Sequence, residues 1–136
     1  MQTQEILAST IAAIAHHNQF RRDGKTLYIT HPAAVAAAVS EAAKPAAWLH
    51  DVLEDNLEQF NWLTIVGLGV DLETVAAVLA LTEHNGEDYF DYIANVKKNL
   101  IAREVKIADI EHNLASDPKL ENVEKYKQAL EILKAD

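Results

Sequence analysis

Cysteine is absent from this 136-residue sequence, and glycine, proline and methionine are scarce, at four, three and one. Without thiols there is no disulfide scaffold, no thiolate zinc or iron–sulfur site and no cysteine nucleophile, and a reducing compartment suits the chain. Glycine and proline fall singly between segments, which is not the dense turn punctuation of an all-β chain. Long hydrophobic runs are missing too. The longest apolar stretches, 32–39 and 63–70, fall well short of the ~18 residues that span a bilayer, and the first ten residues lack the basic start and apolar run of a secretory signal. Basic side chains are the last deficit: 12 Lys and Arg stand against 21 Asp and Glu, a net charge of −9, which opposes duplex nucleic acid and anionic membrane as partners. The acid excess is spread along the chain, −3 over residues 1–60 and −6 over 61–136. The expected protein is soluble and cytoplasmic.

What is present suffices for one compact domain. Hydrophobic residues make up 49% and charged residues 24%, and a chain of this size buries roughly two-thirds of its unfolded surface on folding. No linker, low-complexity block or fixed-period repeat divides it, so residues 1–136 read as a single domain. The recurring period is helical. Ile6, Leu7, Ile11 and Ile14 line one side of a first helix over about 4–18. His31-Pro32 opens a second helix running to about residue 40, with His31 extended at the N-cap, because proline suits the first helical position and disfavours helical backbone before it. Pro45 starts a third helix that continues through Asp55. Further helices are expected over 61–67, 71–82 with Asp71 as N-cap, 89–99, 101–115 and 122–134, the last with Val123, Tyr126, Leu130 and Leu133 on one side. About seven or eight helices and no strand make the expected fold all-α.

The stretch Trp48-Leu49-His50-Asp51-Val52-Leu53-Glu54-Asp55 carries the most chemistry. On a continuous helix His50 and Glu54 share one row and Asp51 and Asp55 the next, with Trp48, Leu49, Val52 and Leu53 opposite. Three carboxylates at spacings of three and four residues repel one another by roughly 0.2–0.5 kcal/mol per pair. A divalent cation held by imidazole and carboxylate would offset that, with the remaining acids orienting a bound water. A solvated acidic face is the other reading, and it sits poorly with the small and apolar Pro45-Ala46-Ala47-Trp48-Leu49 that leads into the cluster. A metal needs further ligands from elsewhere in the chain, and two candidates stand out. His31 is either an ordinary cap or an imidazole projecting into a pocket. Asp109, between Ala108 and Ile110 with Lys106 and Asn113 on its row, is either solvated or part of a site. The loop 19–30 adds local positive charge, Arg21, Arg22 and Lys25 against Asp23, which serves either solubility or an anionic substrate.

The order His31, His50-Asp51, Asp109 resembles the H…HD…D pattern of HD-domain metal-dependent phosphohydrolases, which are all-α. More narrowly, four segments are similar to the hydrolase domain of RelA/SpoT proteins and their small stand-alone relatives, over about residues 12–115. These are Gln19-Phe20-Arg21-Arg22-Asp23-Gly24, Tyr28-Ile29-Thr30-His31-Pro32, His50-Asp51-Val52-Leu53-Glu54-Asp55 and Val105-Lys106-Ile107-Ala108-Asp109. Those enzymes remove the 3′-pyrophosphate of (p)ppGpp with manganese. The resemblance implies that His31, His50, Asp51 and Asp109 bind metal and that Glu54 and Asp55 position or activate the attacking water. It also implies that Arg21 and Arg22, with Lys25 beside them, face the nucleotide, and that Asn113 lies on the substrate side. Two departures fall where the family recognises substrate. The 24–28 connection is a residue longer than usual, and Ile110-Glu111 replaces the common Arg-Leu.

The expected function is a manganese-dependent phosphohydrolase acting on a small nucleotide, (p)ppGpp first and another nucleotide phosphoester second. The rival from another class is a non-catalytic nucleotide-binding or regulatory module, which has no need of Glu54 and Asp55. Of the other histidines, His16 and His17 are expected on the exposed side of the first helix, His84 in a polar turn beside Asn85-Gly86, and His112 behind the ligands.

Overall fold

The computed structural model describes residues 2–55, 59–116 and 118–136, with the backbone alone at Asp55. Helix α1 (Thr3–Ala15) leads through a loop to α2 (Thr30–Ala37), a single 3-10 turn (Glu41–Ala43), α3 (Lys44–Leu49) and α4 (Val52–Asp55). Then come α5 (Trp62–Gly67), α6 (Leu72–Leu81), α7 (Tyr89–Lys97), α8 (Leu100–Ala115) and α9 (Leu120–Lys134). Among the described residues there is no strand, only an antiparallel bridge between Phe20 and Leu27 that pinches the 19–28 loop into a hairpin. The fold is all-α, as its helical periodicity implies. No helix among the described residues is long and apolar enough to cross a membrane.

Two local expectations are corrected, and a third holds in position but not in its bonding. The third helix does not run unbroken to Asp55: it stops at Leu49 and restarts at Val52, which raises the described helical segments to nine. The cause is His50, whose ring Nδ1 donates to Ala47 O at 2.6 Å while its own amide reaches that oxygen only at 3.5 Å. A side-chain donor that takes a helix carbonyl from the backbone ends the helix. Second, His31 is not the N-cap of α2. Thr30 is already helical, Ile29 holds the cap position, and His31 and Pro32 lie inside the first turn. The Thr30 amide and hydroxyl both donate to Leu27 O, at 3.1 and 2.8 Å, winding the chain into helical geometry a residue early. Proline is tolerated there because first-turn amides have no intrahelical acceptor. Third, Asp71 occupies the cap of α6 but its side chain makes no capping bond. Its amide is instead held by Gln4 Oε1 at 2.9 Å, and Gln4 Nε2 donates to Gly69 O, which ties α1 to the α5–α6 turn.

Alanine sets how closely the helices approach. Ala8, Ala12, Ala46, Ala47, Ala77, Ala102 and Ala129 are completely buried, alongside Leu49, Val52, Val35, Ile93, Val96 and Val105. With so little side chain between axes, α3 packs against α1, α2, α6 and α8, and α8 packs against α2, α6, α7 and α9. The first turn of α2, the C-terminal end of α3 and the middle of α8 thereby meet. Asn99 caps α8 by accepting from the Ala102 amide at 2.9 Å. Asn99→Ala should cost about 1 kcal/mol, read in urea unfolding as a lower midpoint with an unchanged slope.

Candidate metal centre

Those three junctions carry His31, His50-Asp51 and Asp109. Only an N–H can satisfy the Ala47 carbonyl, so the His50 proton sits on Nδ1 and Nε2 points inward. His31 and Asp109 are buried, 2% and 5% exposed, the former by the α2 turn and the latter by α8 packing. The two imidazoles converge: His31 Nε2 and His50 Nε2 are 3.3 Å apart. Asp109 Oδ1 lies 2.8 Å from the first and 3.4 Å from the second. Asp51 Oδ2 lies 3.0 Å from His50 Nε2 and 3.9 Å from His31 Nε2. Neighbouring ligands of an ion at about 2.1 Å stand roughly 3.0–3.4 Å apart; three of these five spacings lie in that range, with 2.8 and 3.9 Å on either side of it. His31, His50 and Asp51 each offer one atom within 4.8 Å of the others. Mixed imidazole and carboxylate donors suit a divalent first-row metal.

Groups around the cluster fix its carboxylates. Asp109 divides its oxygens: Oδ1 faces the imidazoles and accepts from Asn113 Nδ2 at 3.2 Å, while Oδ2 is paired with Lys106 Nζ at 3.0 Å. Tyr28 donates its hydroxyl to Asp51 Oδ2. His31 Nδ1 meets His112 Nδ1 at 2.8 Å. Burial by itself disfavours the charged form of His50, yet Asp51 and Asp109 override it and hold the ring well above its usual 6.5. Burial also opposes charge on Asp51, which His50 nonetheless keeps at about 2. Against the same burial, Lys106 and then His50 hold Asp109 well below the carboxylate range. Lys106 is lifted in turn, chiefly by Asp109 once burial is overcome. His112 is lowered by burial and by the neighbouring His31 and Arg21.

The other predicted site residues are distributed differently from a single helix row. The break at His50 turns His50 and Asp51 inward, whereas exposed Glu54 reaches the α6–α7 loop, where its Oε1 accepts from the Glu83 amide at 2.5 Å. The Asp55 side chain lies outside the described residues. A cleft of about 550 Å³ opens beside Asp51 and Asp109, and its walls include Arg21, Arg22, Lys106, Lys119 and Asn113. Arg21 Nη2 is bonded to Asn113 Oδ1 at 3.3 Å and to Ser116 Oγ at 3.0 Å, joining the hairpin to α8. Lys25 is at the exposed hairpin tip and is not among the residues lining that cleft. The tip is held by Asp23, whose carboxylate accepts from the Thr26 hydroxyl and the Thr26 and Lys25 amides and is lowered to about 2 by them.

Of the two departures from the family pattern, Ile110-Glu111 misses the cleft, whereas the longer 24–28 connection places Thr26 and Tyr28 in its wall. Ile110 is a core residue, 1% exposed, and Glu111 pairs with Lys134 at 3.5 Å on the surface. His16 is corrected as well. It is buried, not exposed, because the chain turns at the end of α1 and lays its ring on Tyr28, centroids 4.7 Å apart. Sequence reasoning missed Tyr28, Lys119, Asn122 and Tyr126 as cleft residues. Tyr28 stands three residues before His31, one turn away, and that spacing was a usable signal. Tyr126 reads as core in the periodicity of α9, which hides a ring that is only half-buried.

No protein-family model matches the chain. Over 50 residues, 33% of its length, it is 50% identical to the guanosine-3′,5′-bis(diphosphate) 3′-pyrophosphohydrolase of Haemophilus influenzae. Over 111 residues, 72% of its length, it is 32% identical to a probable guanosine-3′,5′-bis(diphosphate) 3′-pyrophosphohydrolase of Synechocystis sp.. The aligned segments span only 7% and 15% of those two relatives. Among solved structures, a metazoan ortholog of SpoT, described as hydrolyzing ppGpp and playing a role in starvation responses, superposes with a TM-score of 0.80 at 21% identity. That match covers 99% of this chain and 88% of the other. The chain has the HD-type fold of the RelA/SpoT hydrolases. In this HD-type domain the His-His-Asp cluster is suited to a divalent metal.

The raised His50 value makes the centre sensitive to pH. Since the folded value lies above the unfolded value of about 6.5, His50 stabilises the metal-free fold below about pH 6.5, and that contribution is lost as the pH rises through the folded value. A metal ion bound at His50 would displace that proton, so its binding would strengthen with pH. The rise in melting temperature on adding Mn²⁺, compared with EDTA-treated samples, should grow between about pH 6 and 8. A rise that stays constant over that range counts against proton displacement.

Proposed function

We propose that this chain is a manganese-dependent (p)ppGpp 3′-pyrophosphohydrolase that works in the cytoplasm. One observation carries the reading: two imidazoles and two carboxylates from three helix junctions converge beside a cleft walled by cationic side chains. His31, His50, Asp51 and Asp109 are the residues that would hold the cation. When bound, the metal supplies Lewis acidity and a water of lowered pKa. The chain's own groups do the rest. Glu54, with Oε1 anchored by the Glu83 amide, and Asp55 beside it are assigned to orienting the attacking water and accepting its proton. Asp51 and Asp109 balance a divalent charge, and Lys106 then leaves the centre formally cationic, which favours a phosphate. Arg21, Arg22 and Lys119 offset the remaining phosphate charge, with Lys25 close by on the hairpin. Phe20 and Tyr126 offer ring faces to a base, and Asn113 offers an amide.

Hydrolysis adds water across the ester at the ribose 3′ position. The phosphorus gains the water oxygen, the bond to O3′ breaks, and O3′ leaves with a proton as the 3′-hydroxyl, releasing pyrophosphate. The retained Glu54-Asp55 pair favours an enzyme over a binding module, and the placement of Ile110 and Glu111 outside the cleft leaves the 24–28 connection as the departure that bears on recognition.

The test is turnover of ppGpp and a nucleotide panel by protein shown to contain Mn²⁺, with pyrophosphate as the product. Replacing Glu54 and Asp55 together with alanine should lower kcat by about 10²–10⁴-fold with metal content unchanged. Absence of turnover on every phosphoester in metal-replete protein would contradict the proposal.

A further inference from the structure

An imidazole that binds a metal through Nε2 must be neutral, must carry its proton on Nδ1, and needs an acceptor for that proton. At His50 the acceptor is a backbone oxygen, Ala47 O. At His31 the partner is a side chain: Nδ1 lies 2.8 Å from Nδ1 of His112. Two such nitrogens at hydrogen-bond distance share one proton, so one ring donates and the other offers its lone pair. His112 stands three residues beyond Asp109 on α8, nearly one helical turn. The same rigid helix therefore places Asp109 Oδ1 against Nε2 of His31, at 2.8 Å, and His112 against Nδ1. The His112 ring also stacks on His31, with centroids 4.9 Å apart and planes inclined by 28°.

We propose that His112 is a positioning residue for the metal centre, its Nδ1 accepting the proton that His31 must carry on Nδ1 in order to present Nε2 to a divalent cation. This rests on the reading of His31, His50, Asp51 and Asp109 as metal ligands. The role fixes both the tautomer and the ring plane of His31, and it leaves the His112 proton on Nε2.

Calorimetric titration of the full chain with Mn²⁺ separates the possibilities. His112→Phe keeps a flat ring against His31 but removes the acceptor, whereas His112→Asn returns an acceptor oxygen near the place of Nδ1. The phenylalanine variant should bind Mn²⁺ about 10–100-fold more weakly, and the asparagine variant should stay close to the parent. Equal affinity in the phenylalanine variant and the parent overturns the positioning role and leaves the metal centre standing. Equal loss in both variants assigns the effect to ring packing and also overturns it. A parent chain that binds no divalent ion overturns the metal centre itself. A measurement on the unsubstituted protein is independent of how the variants fold. Nitrogen NMR of the Zn²⁺-loaded chain should find the proton on His31 Nδ1, coupled to His112 Nδ1, and an unprotonated or metal-bound Nδ1 at His31 overturns the assignment.

Discussion

Two buried imidazole nitrogens face each other across 3.3 Å, each with carboxylate oxygens of Asp51 and Asp109 within 3.9 Å. Paired lone pairs repel and paired N–H groups collide, so a proton or an ion must lie between them, beside two carboxylates of which that of Asp109 is paired with Lys106. A proton on His50 answers this in the metal-free protein. A divalent cation, which the His31-His50-Asp51 cluster suits, would take the place of that proton and offset carboxylate charge. Burying polar groups without such compensation costs several kcal/mol, on the order of the whole stability of a small domain, so the rest of the fold is constrained to serve this cluster.

The service is visible in how each helix ends or bends. Helix α3 stops where the His50 ring takes the Ala47 carbonyl, and that stop is what turns His50 and Asp51 toward the interior. Buried alanines on α1, α3 and α8 bring backbones close enough for three distant segments to share one point. Helix α8 then serves several needs along one face. Lys106 holds Oδ2 of Asp109, Asn113 donates to Oδ1, and His112 backs His31. Tyr28 from the hairpin donates to Asp51, so the loop that brings Arg21 and Arg22 to the cleft is tied to the ligand set.

Much of this is legible in the sequence because it depends on spacing. The ordered His31, His50-Asp51 and Asp109, the proline next to His31 and the apolar stripe around Asp109 pointed to one cluster, and the helical period marked most of the elements. What was hidden depends on competition that periodicity does not encode. A ring that outbids an amide for a carbonyl breaks the helix at His50, which no count of apolar positions reveals. Turn bonds at Leu27 move the start of α2 ahead of His31. The burial of His16 follows from the hairpin folding back over the end of α1, a tertiary event. Tyr126 lies on the stripe that fills the core, yet it also edges the cleft, because α9 packs at the rim. The Ile110-Glu111 departure looks functional in one dimension and structural in three, since one residue fills the core and the other pairs on the surface.

The assembled centre stands beside a cleft with cationic side chains in its wall, in a fold shared with a SpoT ortholog, and the proposed hydrolysis of a pyrophosphate ester rests on the two together. Anomalous diffraction at the manganese edge from crystals grown with Mn²⁺ tests this most directly. One ion per chain should appear within about 2.0–2.3 Å of Nε2 of His31, Nε2 of His50 and an oxygen each of Asp51 and Asp109. An ion bound elsewhere, or none at saturating Mn²⁺, contradicts the account.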